Sequence, residues 1–469
     1  MEIYNTLTKK KESFQPNESV KINMFVCGPT VYDYIHIGNA RTFVFFDVVA
    51  KYLKHKYGDN NVNYIQNITD IDNKIIERAD KEGVNPLELA KKYTETFKED
   101  MESLGVSSPE YKNATDHIPQ VINQVQTLLN KGNAYIIEND GIYFDLSTFP
   151  DYGKLSNRTA LMADDAVSRI DDSDKKRNRG DFAIWKFKQH NDPSWSAPFG
   201  EGRPGWHIED TAITEKYFGP QYDLHGGGQD LMFPHHEAEI AQQESASGLK
   251  PFVRYWMHGG FLINKPVSST DRESKMSKST GNFETAHELL KKYPKEVLRF
   301  YLLSSHYRAP LSFNETSLNQ AEAGIQRINE FKQNLESTLN NENGMGSMAN
   351  ISITEAEFFR KIEDDFNIPE ALGQFFNLIR TINPSLKSGL NKNDAKLILE
   401  FVQKINKILG IIPNEQENIP TDISRLSDQR ELYRAEKNWE KSDEIRLQIE
   451  SLGYKIEDTV YGPLLKKKK

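Results

Sequence analysis

A single cysteine, Cys27, stands in a chain of 469 residues. One thiol cannot form an internal disulfide, so a reducing, cytoplasmic setting is the expectation. Long apolar runs are missing as well. None approaches the ~20 residues that span a bilayer, which excludes a helical membrane protein. The opening Met1-Glu2-Ile3-Tyr4-Asn5 lacks the basic-then-apolar order of a secretory signal. Positive charge is not in excess. A formal net charge of −9 excludes a protein that coats nucleic acid through a global field. Any RNA contact must be a local basic or shape-matched surface; the terminal Lys466–Lys469 run could contribute to one, although such lysine tails are more often solvated ends. No internal repeat is visible. What remains is a globular composition, 37% hydrophobic and 11% aromatic, on a chain long enough for about three cores.

The texture changes along the chain. Residues 1–115 alternate strand-like runs (22–26 and 62–68) with helix-like ones (70–82 and 86–104), the pattern of a parallel α/β unit. From Ala114 to about Ile208 a helical stretch (118–131) leads to short strands (134–137 and 141–144), a charged loop from Asp171 to Asp181, and a Trp- and Gly-rich stretch. That segment, residues 116–205, is expected as an insertion splitting the α/β domain, whose second half runs over 206–284. Residues 285–412 have helical period, with His306-Tyr307-Arg308 near one junction. Breaks rich in Asn, Gly, Pro and Ser at 340–350 and 413–421 read as linkers. The last module, 421–469, stands apart. The expected fold is therefore a Rossmann-type α/β domain with a split insertion, then a helical bundle domain and a small C-terminal α+β module.

Two short motifs carry the chemistry. His36-Ile37-Gly38-Asn39 follows the apolar run 22–26 and the turn Cys27-Gly28-Pro29-Thr30, and precedes a helical stretch from Ala40. A strand, a glycine-bearing turn and a helix amino end present unpaired N–H groups to a phosphate. Far downstream, Lys275-Met276-Ser277-Lys278-Ser279 brings two lysines that supply countercharge to developing pyrophosphate. Alone, the first is more often a plain turn and the second a solvated loop. In this order and at this separation, they resemble the HIGH and KMSKS elements of class I aminoacyl-tRNA synthetases.

A second cluster concerns metal. In Pro234-His235-His236-Glu237-Ala238-Glu239, His235 and Glu239 fall one helical turn apart, so a helix starting at Pro234 projects both from one face. Upstream lie the glycine-rich turn Asp223-Leu224-His225-Gly226-Gly227-Gly228-Gln229-Asp230 and the stretch Gly205-Trp206-His207-Ile208-Glu209-Asp210, which adds an aromatic wall and further candidate ligands. From spacing alone, a helix-start cap at His235 and a solvated Glu239 remain the commoner reading.

These segments resemble the cysteinyl-tRNA synthetase family over nearly the whole chain. The resemblance rests on Gly28-Pro29-Thr30-Val31-Tyr32 with the His36 motif, Asn67-Ile68-Thr69-Asp70-Ile71-Asp72, Tyr152-Gly153-Lys154-Leu155-Ser156, Gly202–Glu209, the Gly226 turn, Phe233–Glu237, the lysine motif and His306-Tyr307-Arg308. Near the end, Ser442–Arg446 and Asp458-Thr459 resemble that family's anticodon-binding module.

The resemblance implies ATP-dependent attachment of L-cysteine to tRNA(Cys) through a cysteinyl-adenylate, in a monomer with Mg2+ accompanying ATP. His36, Asn39, Lys275 and Lys278 would be catalytic, and His36, Gly38, Asn39 and Lys278 would hold ATP. Gly28, Thr69 and Trp206 would line the substrate pocket, and Asp230 would hold the substrate ammonium. It also implies one Zn2+ held by two Cys, a His and a Glu, which fall on Cys27, Asp210, His235 and Glu239. Asp210 thus replaces the second cysteine. Aspartate is itself a zinc ligand and the swap keeps donor count and charge, so an altered but retained metal site is expected. The loop from Asn264 to Ser274 is expanded relative to short-looped relatives. Trp439 and Tyr433 are candidates to stack on anticodon bases. The rivals are a cysteine ligase acting on an amino sugar, as in mycothiol synthesis, and a non-catalytic RNA-binding paralogue.

Overall fold

The computed structural model describes residues 1–16, 21–158, 173–190, 192–264, 274–275, 284–339, 344, 351–413, 420–459 and 462–467. Of the lysine motif, Lys275 is described in its backbone. Lys278 lies outside the described residues, as do nearly all of 340–350 and, in the second linker, 414–419.

The chain forms two compact units, one of residues 1–319 and 360–369 and one of 320–359 and 370–469. The first is built on a five-stranded, fully parallel sheet. Its central strand, Ile22–Val26, is flanked on one side by Val62–Ile68 and then Glu110–Asn113, and on the other by Tyr222–Gly228 and then Val253–Gly259. Four of these strands are buried almost throughout, as a sheet covered on both faces requires. The chain winds outward from the centre in both directions, so the strand order reverses beside Ile22–Val26. In such sheets the crevice for ligands opens at the carboxyl ends of the strands at that reversal. Cys27 and Gly226 lie there, joined by a backbone hydrogen bond of 3.1 Å.

The connections follow from local signals. Helix Ile37–Tyr57 starts on His36 and ends at Gly58, with Lys54, His55 and Lys56 in its last turn facing the negative end of the helix dipole. Asp72 and Asn85 cap helices Asn73–Glu82 and Pro86–Ser103, which return the chain to Glu110–Asn113. The segment expected as an insertion contains helix Ile118–Asn130 and a four-stranded antiparallel sheet ordered Ala134–Ile137, Gly141–Phe144, Phe182–Phe187, Gly202–Pro204. A small sheet joins Leu262–Asn264 to Ser274–Lys275 and to Leu311–Phe313. That last strand interrupts what the sequence presents as continuous helical period.

The second unit is mainly helical. Helix Lys392–Leu409 buries Ile398, Phe401, Val402 and Ile405 on one stripe, between the Asn391 cap and Gly410 in the left-handed region. Helices Thr421–Ala435 and Trp439–Ser451 pack with the hairpin Tyr454–Thr459/Gly462–Lys467 around Ile423, Ile449, Ile456 and Leu465. Arg430 closes this module by a double hydrogen bond to Asp458, at 2.7 and 3.0 Å. No described helix is long and apolar enough to cross a membrane.

Candidate metal centre and nucleotide site

The candidate nucleotide end begins at His36. Its Nδ1 accepts from the Asn39 backbone N–H at 3.2 Å, capping the helix. Gly38 makes this possible, because a Cβ there would lie 2.8 Å from the His36 ring. The segment leaving the lysine motif is stitched to the same place. Ile37 N–H donates to the Glu284 carbonyl at 2.9 Å, and Ala286 N–H to the Ile35 carbonyl at 3.0 Å. The segment entering the motif pairs at Lys275 with Ile263, whose neighbour Leu262 faces Gly38. Both flanks of the lysine motif are therefore anchored beside the helix amino end that a phosphate would use.

Arg41, on the first turns of that helix, has a structural part that the sequence did not disclose. Its guanidinium donates to the carbonyls of Gly260 (2.8 Å), Phe261 (3.1 Å), His306 (3.1 Å) and Ala309 (2.8 Å). Burial among neutral acceptors pulls its pKa down to about 10.

The candidate metal ligands converge at the strand-order reversal. Cys27, at the end of the central strand, has Asp210 Oδ2 at 3.4 Å and Glu239 Oε1 at 3.7 Å from its Sγ. His235 Nε2 stands 3.0 Å from Asp210 Oδ2 and 3.1 Å from Glu239 Oε1. All four ligand atoms lie within 4.8 Å of one another and all four residues are buried. Tetrahedral zinc, with bonds near 2.0–2.3 Å, separates its donors by roughly 3.3–3.6 Å, close to these distances. The other oxygens of these two carboxylates, Asp210 Oδ1 and Glu239 Oε2, are buried and accept no hydrogen bond, so each acid has acceptor capacity unmet within the chain. The residues fit a divalent metal.

The commoner reading of His235 and Glu239 fails here: neither is solvated, and His235 caps no helix. The helix itself starts later than expected. Regular geometry begins at Glu237, after a wide turn over Met232–His236 in which Phe233 is extended. The turn still leaves His235 and Glu239 facing each other.

Two residues near the thiol escaped the sequence reading. His225 Nε2 and His236 Nε2 lie 3.3 and 3.1 Å from Cys27 Sγ, and with Glu239 they make a second set of donors within the same reach. Each imidazole is held from behind: His225 by the Tyr222 hydroxyl (2.6 Å), His236 by His258 (2.8 Å), His235 by His207 (2.8 Å). Such outer bonds fix ring orientation at metal sites. Burial drives the pKa values of His207, His225 and His236 well down, and holds His258 near about 3, so these rings are neutral donors or acceptors. Burial, then Glu239 and Asp210, pushes the Cys27 thiol well up.

Around this cluster, the Trp206 ring stacks on His235 at 4.5 Å and is 36% exposed, forming one wall. Gly28 N–H donates to Asn67 Oδ1 at 2.6 Å, and a Cβ on Gly28 would lie 1.8 Å from the Asn67 carbonyl, so the turn closes tightly there. Thr69 donates its hydroxyl to Glu209, and Asn67 Nδ2 donates to the same oxygen at 3.2 Å. Asp230 sits on the exposed turn Gln229–Leu231, with its carboxylate over Gly228.

Known proteins resemble this chain in sequence and fold. The family described as tRNA synthetases class I (C) catalytic domain matches residues 13–323, and the DALR domain matches 357–413. The chain is 44% identical to the cysteine--tRNA ligase of Carboxydothermus hydrogenoformans, over 98% of this chain and 99% of that protein. It is 41% identical to that of Clostridioides difficile, over 98% and 99%. Among solved structures, Mycobacterium tuberculosis methionyl-tRNA synthetase with methionyl-adenylate superposes with a TM-score of 0.63 at 16% identity, covering 84% of this chain and 92% of that one. That last likeness is one of fold.

Proposed function

This chain belongs to the cysteinyl-tRNA synthetase family of class I, and from that premise we propose that it activates L-cysteine with ATP and transfers it to tRNA(Cys). The observation that supports this most is the meeting of Cys27, Asp210, His235 and Glu239 beside a helix amino end suited to phosphate. Those four residues would hold one Zn2+, which when bound supplies a borderline-soft Lewis acid that prefers a thiolate to an alcohol. A pocket selecting by size alone separates near-isosteres by only about 10²-fold.

The remaining work falls to positioning and charge. ATP, with Mg2+, lies over the helix start, where His36, Gly38 and Asn39 meet its phosphates. Lys275 and Lys278 stabilise charge on the transferred α-phosphate and the departing pyrophosphate. Gly28, Thr69 and Trp206 line the amino-acid pocket, and Asp230 at its rim is the carboxylate that family resemblance assigns to the ammonium. The substrate carboxylate attacks the α-phosphorus, giving cysteinyl-adenylate and diphosphate. The terminal adenosine hydroxyl of the tRNA then takes the cysteinyl group and AMP leaves. No protein nucleophile is required. Residues 285–412 and 421–469 would grip the tRNA, with splayed anticodon bases stacking on Trp439, which is 58% exposed, and on half-buried Tyr433. The enzyme would act as a cytoplasmic monomer.

The deciding experiment is cysteine-dependent pyrophosphate exchange followed by charging of tRNA(Cys), with metal content measured on protein purified without chelators. Exchange, charging and one zinc per chain are expected. Lys278→Ala should cut exchange by orders of magnitude and spare tRNA affinity. Asp210→Cys should hold zinc at least as tightly, and Asp210→Ala should hold it poorly. Exchange without charging would favour an amino-sugar ligase, and neither activity would favour an RNA-binding paralogue. A zinc-free chain that still selects cysteine strongly would overturn the metal assignment.

A further inference from the structure

We propose that Asp365 is a positioning residue for ATP: through the turn His306–Ala309 it holds the start of helix Ile37–Tyr57 and the approach to the lysine motif in place relative to each other. The assignment rests on the ATP-dependent reading above. Asp365 is wholly buried. It stands in the short stretch 360–369, which belongs to the first unit although the chain on either side belongs to the second. Its Oδ1 accepts from the Tyr307 hydroxyl at 2.8 Å and from the Tyr4 backbone N–H at 2.8 Å. Its Oδ2 accepts from Arg308 Nε at 2.9 Å and Nη2 at 2.7 Å, with His306 Nε2 at 3.6 Å. The three side chains of His306-Tyr307-Arg308 thus converge on one carboxylate.

The backbone of the same turn meets the nucleotide elements. Arg41, in the first turns of helix Ile37–Tyr57, donates to the carbonyls of His306 and Ala309 and, with the same guanidinium, to those of Gly260 and Phe261. Gly260 N–H donates in turn to the Tyr307 carbonyl at 2.7 Å. Gly260 and Phe261 join Val253–Gly259 to Leu262–Asn264, the strand whose antiparallel partner carries Lys275. The Tyr307 ring stacks on Phe45 of the helix at 4.3 Å. One turn therefore touches both the helix start and the strand leading to the lysine motif. Close-packed groups transmit a displacement rather than absorb it, so a change at Asp365 reaches both.

The local backbone supports a demanding placement. Asp365 and Phe366 are consecutive non-glycine residues in the left-handed region, at φ of 58° and 51°. Such strain persists only where the surroundings over-determine it, and it clusters at working sites. Here Asp365 N–H donates to the Glu2 carbonyl at 2.9 Å, and the Phe366 ring stands edge-on to Phe45 and Tyr52. Glu363 offers a contrast within the same stretch. It takes the Tyr52 hydroxyl and Lys56 at the opposite end of the helix from His36, so it serves as the control.

Dissociation constants for Mg-ATP and for L-cysteine are measured separately by calorimetry on the full chain, and cysteine-dependent pyrophosphate exchange supplies kcat and both KM values. Asparagine tolerates the left-handed region, so Asp365→Asn removes the charge and keeps the backbone. It should weaken ATP binding and raise the KM for ATP by roughly ten-fold, as a small misplacement does, while the cysteine constants move by less than about two-fold. Arg308→Gln and Tyr307→Phe should shift ATP in the same direction by less, and Glu363→Gln should shift neither ligand. A purely structural Asp365 would lower stability or the active fraction and leave both constants unchanged. That result, or an equal loss for ATP and cysteine, would overturn the inference. So would wild-type ATP affinity in both Arg308→Gln and Tyr307→Phe, which decides the matter if Asp365→Asn does not fold. Failure of the cysteine-activating reading shows separately, as wild-type protein that binds ATP without cysteine-dependent exchange.

Discussion

Two buried carboxylate sites in the same unit differ in how their charge is met. Asp47, on helix Ile37–Tyr57, is wholly buried, with Arg299 at 3.0 Å, Lys51 at 2.7 Å and the Ser108 hydroxyl at 2.7 Å. Burial alone would push its carboxyl up, but Arg299 and Lys51 hold it below the usual range. At the pocket, Glu209 and Glu239 are as deeply buried. Burial first, then the neighbouring Asp210, pushes both carboxyls well up. The ion pairs of Asp210 and Glu239 among the described residues are with histidines that burial keeps neutral or that share the metal cluster. A charge that serves the fold finds its counter-ion within the chain. The pocket carboxyls have no lysine or arginine in an ion pair with them among the described residues, as a site built for a ligand would show.

The sharpest way to break this contrast is to orphan Asp47. Arg299→Met should cost about 3–5 kcal/mol in denaturant unfolding, the usual penalty for leaving one partner of a buried pair alone. The pH dependence carries the sign. Because the folded pKa of Asp47 lies below its ordinary 3.8, its contribution is complete above that value and is lost as pH falls through the lower one. The stability gap between wild type and Asp47→Asn should therefore be flat near neutrality and close only in acid. A gap as large in strong acid as at neutrality would show that Asp47 is not held ionised.

Metal removal should have the next largest effect. Zinc returned to chelator-stripped protein at about 100 times its dissociation constant should add ~2.7 kcal/mol of stability. No shift on zinc addition would mean that the pocket acids already have partners.

Charge deletion at the pocket should reverse the sign seen at Asp47. In the stripped protein, Glu239→Gln should leave stability unchanged or raise it by about 1 kcal/mol, while zinc retention falls. A clear loss of stability would place Glu239 with the structural charges. The smallest effect on the catalytic unit is expected from deleting residues 421–469: cysteine-dependent exchange should persist although tRNA charging should fail. Equal loss of both in a folded truncation would make that module a support of the catalytic unit.

Much of the site was legible because its parts are local. His36-Ile37-Gly38-Asn39 announces a capped helix start within a few residues, and the structure adds only that the Gly38 position leaves room for the His36 ring. The strands at 22–26 and 62–68 stand where their apolar runs put them, since strands buried on both faces need little else to declare themselves. The short strand Leu311–Phe313 was not legible, because three residues carry no periodicity. Trp439 was open between core and surface, and the structure leaves it exposed.

The sequence by itself determined the class of the protein and pointed to the nucleotide motifs and to one candidate set of metal ligands, in which family resemblance puts aspartate in a cysteine's place. Only the tertiary structure brought Cys27 to Asp210 across 183 positions, to His225 across 198 and to His236 across 209. It alone closed Glu209 from solvent with one oxygen unpaired. The reason is one of range. Capping, turns and hydrophobic period act over a few residues, whereas the meeting of distant side chains depends on strand order and register in a sheet whose neighbours come from opposite ends of the unit.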